Sequence, residues 1–380
     1  MKILCVDIGT GTQDIFLYDS RLDIENGFKL VVPSPTMMVH HRLQEATRRG
    51  TAVALTGLTM GGGPSQWAAE AHLRAGWPLY ATPSAARSFN DDLDVIREMG
   101  ITLVSDDELA ALPGDVQRLS LRDFDFGAID RALGEFGVSL ADVTAVAVGV
   151  FDHGNSPPDY SDRLFRFDYI RQRVQANSRL SAFAYRATDV PPIMTRLQAV
   201  VQSAQDIDAP LVVMDTAPAA VLGAMLDTAV RAEPRVLVAN LGNLHTLAFR
   251  VGPTGIEGVF EHHTGLLDRP RLDDLLYRLA DGSLQHDAVY QDHGHGAYIP
   301  HRQPLPLGDG RFDVAVTGPR RAMMAGSGLR PYFAAPFGDM MLTGCFGLLA
   351  AAADLLPDLA PGIRASLYTT GGSSAAPWDF

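Results

Sequence analysis

The chain has 380 residues, 47% hydrophobic, 8% aromatic and 20% charged, the composition of a folded globular protein with room for two medium lobes. Its 44 acidic against 31 basic residues give a formal net charge of -13, which argues against the basic face that nucleic-acid binding needs. Lys2 and Lys29 are the only lysines, so the Gly-x-x-x-x-Gly-Lys loop of P-loop proteins is excluded and a Schiff-base lysine would have to lie near the N-terminus.

Residues 3–8, 14–18 and 28–32 read as three short strands, with Asn26-Gly27 as a hairpin-turn signal. A helix is expected over 36–49, closed by Gly50, then a strand over 52–58. Gly61, Gly62 and Gly63 lead into a helix over 65–75. Residues 84–137 alternate helix and strand signals with Asp-rich caps. The strongly apolar strand 143–150 ends at Phe151-Asp152-His153-Gly154, and a polar stretch follows over 155–162. Helical patterns run to Gln205, broken at Pro191-Pro192, before a strand at 211–214 and a small-residue helix at 217–226.

From Arg235 the opening pattern returns: an apolar strand at 236–241, a Gly242-Asn243 turn, and a return strand at 245–251. Two copies of strand, glycine turn, strand suggest two related lobes. The remainder reads as a helix at 271–280, a His/Gly-rich loop at 286–301, a strand at 312–316, a helix from Pro319 and a last helix over 338–356. The expected division is a first lobe over 1–226, a second over 227–361 and a peripheral tail over 362–380. No apolar run approaches the roughly 18 residues of a membrane span. Asp7 and Asp14 interrupt the apolar start before a secretory core forms. Cys5 and Cys345 are the only cysteines, too few for a disulfide framework and readable as buried small hydrophobes. These features together lead to the expectation of a cytoplasmic protein.

The most specific element is Asp7-Ile8-Gly9-Thr10-Gly11-Thr12. An apolar strand delivers an acid into a tight turn. Its glycines admit phosphate close to backbone N–H groups, its threonines add hydroxyl donors, and Asp7 can hold a hydrated divalent ion. A plain hairpin is the alternative. Gly61-Gly62-Gly63-Pro64-Ser65 opens a helix and offers an anion nest for a substrate carboxylate or phosphate, or else a flexible turn. Asp152 follows an apolar strand, at the edge where α/β sheets place ligands, so it is a candidate general base with His153 beside it; capping is the alternative. Asp215 precedes a helix and can serve as its N-cap. His262, His263, His293 and His295, near Asp292, offer imidazoles to zinc or iron, or form a loop of solvated histidines. Arg320 and Arg321 are candidates for phosphate or base contact, or surface residues.

The first turn resembles the first phosphate motif of the actin, heat-shock chaperone and sugar-kinase superfamily. Four further segments resemble the superfamily's other motifs in its order. Asp215-Thr216-Ala217-Pro218-Ala219-Ala220 resembles the first connecting helix. Asn240-Leu241-Gly242-Asn243-Leu244-His245 resembles the second phosphate motif. Val314-Ala315-Val316-Thr317-Gly318-Pro319-Arg320 resembles the adenosine motif. Gly338 with Gly344-Cys345-Phe346-Gly347 resembles the second connecting helix. The resemblance implies a two-lobed α/β fold with duplicated, ribonuclease H-like mixed sheets and a nucleotide cleft between the lobes. It implies ATP and Mg²⁺ at Asp7, Gly9, Thr10, Gly11 and Thr12, opposite Asn240, Gly242, Asn243 and His245. Adenine would lie near Thr317, Gly318 and Arg320, and Asp215 would stand near the metal.

Asn240 replaces the acid usual in the second phosphate motif and cannot supply its charge. The implied activity is phosphoryl transfer to a small-molecule acceptor. The rivals are an ATP-gated activator of a partner protein and a metal-dependent group transfer enzyme using the histidine loop. Met60-Gly61-Gly62-Gly63-Pro64, Phe151-Asp152-His153-Gly154 and Ala335-Pro336-Phe337-Gly338-Asp339-Met340-Met341 also resemble a prokaryotic family labelled "pyruvate formate-lyase activating enzyme". The chemistry of that label needs a three-cysteine iron–sulfur motif, which two cysteines cannot build.

Overall fold

The computed structural model describes residues 1–368. Strand β1 (Lys2–Ile8) is buried from Ile3 onward, because it has neighbours on both edges and layers on both faces. That is why it reads as a continuous apolar run rather than an alternating one. It turns back antiparallel into β2 (Thr12–Asp19), which pairs antiparallel with β3 (Phe28–Pro33). The Asn26-Gly27 signal does not make the expected tight hairpin. Ile24–Asn26 form a 3-10 turn, and Gly27 has a φ of -64°. A Cβ there would come 2.4 Å from the Phe16 ring, so glycine is needed for packing and not for a left-handed turn.

Strands β4 (Val53–Gly57), β5 (Leu79–Ala81), β6 (Thr102–Leu103) and β7 (Gln117–Leu121) form a separate four-stranded parallel sheet in the order β6-β5-β4-β7. It has its own core around Leu43, Leu55, Ala69 and Ile96. The alternating signals of 84–137 did not separate this sheet from the main one. The chain then returns to the first sheet through β8 (Val143–Val150), β9 (Ala184–Arg186) and β10 (Leu211–Asp215), giving the order β3-β2-β1-β8-β10-β9.

The second lobe holds β11 (Val236–Leu241), β12 (His245–Gly252), β13 (Gly255–His263), β14 (Gly296–Tyr298), β15 (Val314–Thr317) and β16 (Pro331–Phe333), ordered β14-β13-β12-β11-β15-β16. In each sheet the central strand, β1 or β11, has an antiparallel meander on one side and a parallel neighbour, β8 or β15, on the other; the first sheet ends in the antiparallel β9. The two main sheets are therefore duplicated mixed sheets of ribonuclease H type, and the chain has the two-lobed actin-like fold. Strand β13 escaped the sequence reading because Glu257, Gly258, Glu261, His262 and His263 interrupt its apolar pattern. The helix expected from Pro319 is only a 3-10 turn at Arg321–Met324.

Helices Thr216–Ala224 and Thr343–Leu355 cross tightly and tie the lobes together. The first touches β8 and β10 as well as β11 and β15, while the second lies along β1 and β8. Small residues permit the crossing. A Cβ on Gly223 would lie 1.8 Å from the Thr343 carbonyl oxygen, and one on Gly347 would lie 1.8 Å from that of Ala219. The last expected helix starts at Thr343, after a separate 3-10 turn at Pro336–Gly338. The chain does not leave the fold at 362: helix Ala360–Tyr368 buries Ile363 and Leu367. The rest of the expected tail lies outside the described residues. Among the described residues no helix is long and apolar enough to cross a membrane.

Candidate functional site

A cleft of about 970 Å³ is lined by both main sheets and by the Gly61-Gly62-Gly63 turn. Its floor is made by two matching hairpins. Gly9 N–H donates to the Thr12 carbonyl at 2.9 Å, and Gly242 N–H donates to the His245 carbonyl at 3.0 Å. The duplication thus aligns Gly9 with Gly242, Thr12 with His245 and Asp7 with Asn240. The two turns face each other: a Cβ on Gly11 would stand 2.8 Å from Asn243 Nδ2.

Asp7 and Asp14 are directly opposite in the β1–β2 register, so their carboxylates share one face. Both are buried and line the cleft. Thr216 Oγ1 donates to Asp7 Oδ1, while Asp14 Oδ1 has no hydrogen-bond partner among the described residues. Burial, then the Asp215 charge, pushes Asp7 up to about 7 against a lowering hydrogen bond from Thr216. Burial and the neighbouring Asp7 push Asp14 up to about 8. Gly149 and Gly344 clear the space for the Asp7 carboxylate, since a Cβ on either would approach its oxygens to 2.9 and 1.8 Å. Asp14 was not singled out from the sequence. The available signal was its place after a four-residue turn, which sets it across from Asp7.

Thr317 lies beside Asn240 in the β11–β15 register, and both line the cleft with Gly318. Gly318 has a φ of +96°, and a Cβ there would press within 2.5 Å of the Leu241 carbonyl oxygen. Arg320 is a correction. Its backbone N–H donates to Leu241 at 2.9 Å, but its side chain is exposed and does not line the cleft.

Three other expectations change. Asp215 is fully buried and off the cleft, because its carboxylate pairs with Arg166 and accepts the Ala217 N–H. It is the N-cap and an ion-pair partner, not a ligand of a cleft metal. Asp152 lines the wall, but its two oxygens accept the N–H groups of Gly154 and Leu197, each at 2.8 Å. Burial still pushes it up to about 6 against those bonds. Both oxygens thus cap the chain, each with one N–H group. In the glycine turn, Gly61, Gly62 and Gly63 line the cleft, whereas Ser65 is buried behind it and returns its hydroxyl to the Gly61 and Gly62 carbonyls. The Gly61 N–H is taken by Asp123, which Arg196 clamps with bonds of 2.6 and 2.9 Å.

The histidines regroup. On β13 adjacent residues face opposite ways, so His262 and His263 separate. His262 is buried with Nδ1 at the His263 carbonyl and Nε2 at the Asp292 carbonyl. His293 is exposed in a turn with a φ of +63°. His263 and His295 instead meet His245 and His153. Ring centroids are 4.7 Å apart for His263–His295, 5.1 Å for His245–His295 and 5.1 Å for His153–His245. Phe151 stacks on His245 at 4.2 Å. Burial, then Arg166, Arg196 and His263, pushes His153 down to about 3. Burial followed by neighbouring imidazoles also lowers His245 and His295, so the cluster is neutral.

Beneath the histidines lies a charged group that the sequence reading missed. Arg166, Asp215 and Glu261 are fully buried. The guanidinium bonds Asp215, Glu261 Oε2 at 3.1 Å and the Asp152 carbonyl at 3.0 Å. It joins helix Asp162–Ala176 of the first lobe to β13 of the second. Burial pushes Glu261 up to about 7 against the pull of Arg166. Arg163 fixes the histidine loop by donating to the carbonyls of Tyr290 and Gly294. A single arginine among many gives no sequence sign of such a role. Cys5 and Cys345 are buried in the core of the first lobe, and the Cys345 thiol lies 3.1 Å from the Asp14 carbonyl.

The chain matches no curated protein sequence. Among solved structures it is similar to an inorganic polyphosphate/ATP-glucomannokinase from Arthrobacter sp. strain KM, at 13% identity and a TM-score of 0.36, covering 93% of this chain and 99% of that one. It is similar to the activator of the 2-hydroxyisocaproyl-CoA dehydratase from Clostridium difficile, at 10% identity and a TM-score of 0.34, covering 95% and 97%. It is also similar to a ROK hexokinase from Thermus thermophilus, at 13% identity and a TM-score of 0.29, covering 92% and 98%. A family model described as "putative pyruvate format-lyase activating enzyme (DUF1786)" matches residues 60–323, more than half of the length, and the chain belongs to that family.

Proposed function

We propose that the cleft binds ATP with Mg²⁺ between its two hairpin turns and supports phosphoryl transfer to a small-molecule acceptor. The observation that carries this reading is the convergence of the paired turns, Gly9-Thr10-Gly11-Thr12 and Gly242-Asn243, on the buried carboxylates of Asp7 and Asp14. Backbone N–H groups of the turns and the hydroxyls of Thr10 and Thr12 are suited to phosphate oxygens. Gly318, packed closely against Leu241 and Asn240, stands where the base would lie.

Asp7 and Asp14 fit a magnesium ion: they are two buried oxygen donors on one face, one with an orphaned oxygen. When bound, the ion would neutralise charge on the phosphates. Asn240 leaves the second turn neutral, so the carboxylates come from one lobe only. Phosphoryl transfer needs positioning and charge stabilisation more than covalent chemistry, so it does not depend on Asp152 acting as a base. Closure of the lobes would exclude water.

Calorimetric titration of ATP with and without Mg²⁺ tests the reading, with Gly11→Val as the comparison. The added side chain would meet the movable end of Asn243, so the fold can accommodate it while the phosphate space is filled. The parent is expected to bind only with Mg²⁺, and the variant to lose binding. Equal affinity in the two proteins would remove the nucleotide from this turn. Turnover stimulated by one metabolite would identify the acceptor, whereas turnover that responds only to a partner protein would favour an ATP-gated switch.

A further inference from the structure

We infer that His153, His245 and His295 form a binding site for a divalent transition ion of the zinc or ferrous class, separate from the carboxylates of Asp7 and Asp14. The three residues come from distant segments: the end of β8, the start of β12 and the turn before β14. Each can offer a ring nitrogen such that all three atoms lie within 4.8 Å of one another. Imidazole ligands at about 2.0–2.1 Å from zinc stand roughly 3.4 Å apart, so a modest side-chain rotation closes the set. His153, only half-buried, has room for that rotation.

Two observations favour a ligand over simple packing of imidazoles. His295 is fully buried, yet among the described residues neither of its ring nitrogens has a hydrogen-bond partner. Buried polar side chains are rarely left so, and a histidine with both nitrogens orphaned calls for something to occupy one of them. Behind it, Glu261 Oε1 is also without a partner and lies 3.9 Å from His295 Nε2. A carboxylate beside a metal-bound imidazole is the usual means of fixing its tautomer and orientation.

Three nitrogen donors without a nearby thiolate select zinc, ferrous or similar ions over magnesium, which prefers oxygen. His263, whose ring is 4.7 Å from that of His295, can complete the coordination. Otherwise the remaining position opens into the cleft, where a substrate oxygen could take it. His153, His245, His263 and His295 all line the same cleft as the glycine turns. The site would hold an oxygen-bearing acceptor beside the nucleotide. That last step rests on the proposed function, whereas the metal site does not.

Untagged, full-length protein stripped with a chelator and titrated with Co²⁺, without nucleotide, gives a direct test. Saturable visible absorption at about one ion per chain, removed by Zn²⁺ and not by Mg²⁺, is expected. His245→Ala and His295→Ala should abolish it, Glu261→Gln should weaken binding by about 10–100-fold, and His293→Ala should leave it unchanged. His153→Gln, at the half-exposed ligand, provides a variant that tests the set if the buried ones fail to fold. Elemental analysis of protein purified aerobically and anaerobically distinguishes zinc from ferrous ion. Absence of a saturable cobalt spectrum in the parent, or its persistence in folded His245→Ala or His153→Gln, overturns the site. Gly11→Val should retain cobalt binding, so a failure here is separable from a failure of the nucleotide reading.

Discussion

Replacing Arg166 with methionine would test the buried charge group that joins the two lobes. The methionine keeps much of the packed volume but removes the only cation bonded to Asp215 and Glu261, all three residues being fully buried. Removing one partner of a buried ion pair costs about 3–5 kcal/mol, because the remaining charge is left uncompensated in a low-dielectric interior. Protonation limits that cost. Glu261 already sits near 7 in the folded protein against an ordinary value of 4.5. Its stability contribution therefore falls as pH rises from the unfolded value through 7, and loss of the guanidinium extends that fall to higher pH. Arg166→Met is expected to lose about 3–5 kcal/mol at pH 8 and less at pH 6. Urea-unfolding midpoints at both pH values, followed by fluorescence, provide the measurement. Adding Asp215→Asn and Glu261→Gln should recover most of the loss, since neutral amides need no cation and the amide at 215 can still cap Ala217. A single variant within about 1 kcal/mol of the parent at pH 8, or a triple variant no better than the single one, would refute the reasoning.

The folded Asp14 carboxyl is raised to about 8 from 3.8, so the unfolded chain ionises first and the parent should lose stability between those values. Discounted for its coupling to Asp7, this loss is on the order of 3 kcal/mol. Asp14→Asn should flatten the pH dependence in thermal unfolding and remove stabilisation by Mg²⁺; an unchanged slope between about pH 5 and pH 8 would place the titrating group elsewhere. Gly347→Ala drives a Cβ into the Ala219 carbonyl at the crossing of the connecting helices. It should cost at least about 1–3 kcal/mol in denaturant midpoints, while Gly134→Ala, which meets nothing within 4 Å, should be nearly neutral. Asp152→Ala leaves the Gly154 and Leu197 N–H groups without their carboxylate, so calorimetry should show a loss of roughly 1–3 kcal/mol. Full stability with collapsed turnover would instead restore Asp152 as the base.

Local order carries its own signals, and these were legible in the sequence. The apolar run of β1, the glycine turn after Asp7 and the recurrence of that pattern at β11 and β12 identified the duplicated fold and its two glycine turns. Each depends on contiguous residues whose backbone and burial preferences act together. The small residues of Gly223, Gly344 and Gly347 were likewise visible, although which backbone each admits was not. Strand β13 was hidden because its buried polar residues are satisfied or positioned by partners remote in sequence. Asp14 became significant only through its register with Asp7. Alternation on β13 divided His262 from His263, and sheet order brought His153 and His245 to His295. Asp215 and Asp152 were recognised as acids, but only tertiary contacts pair Asp215 with Arg166 and tie both Asp152 oxygens to the Gly154 and Leu197 N–H groups. The sequence determined which strands and turns could form, because those rest on local geometry. Only the tertiary structure decided which charges and imidazoles share a low-dielectric space, because that depends on register, lobe apposition and the partners left to each buried atom.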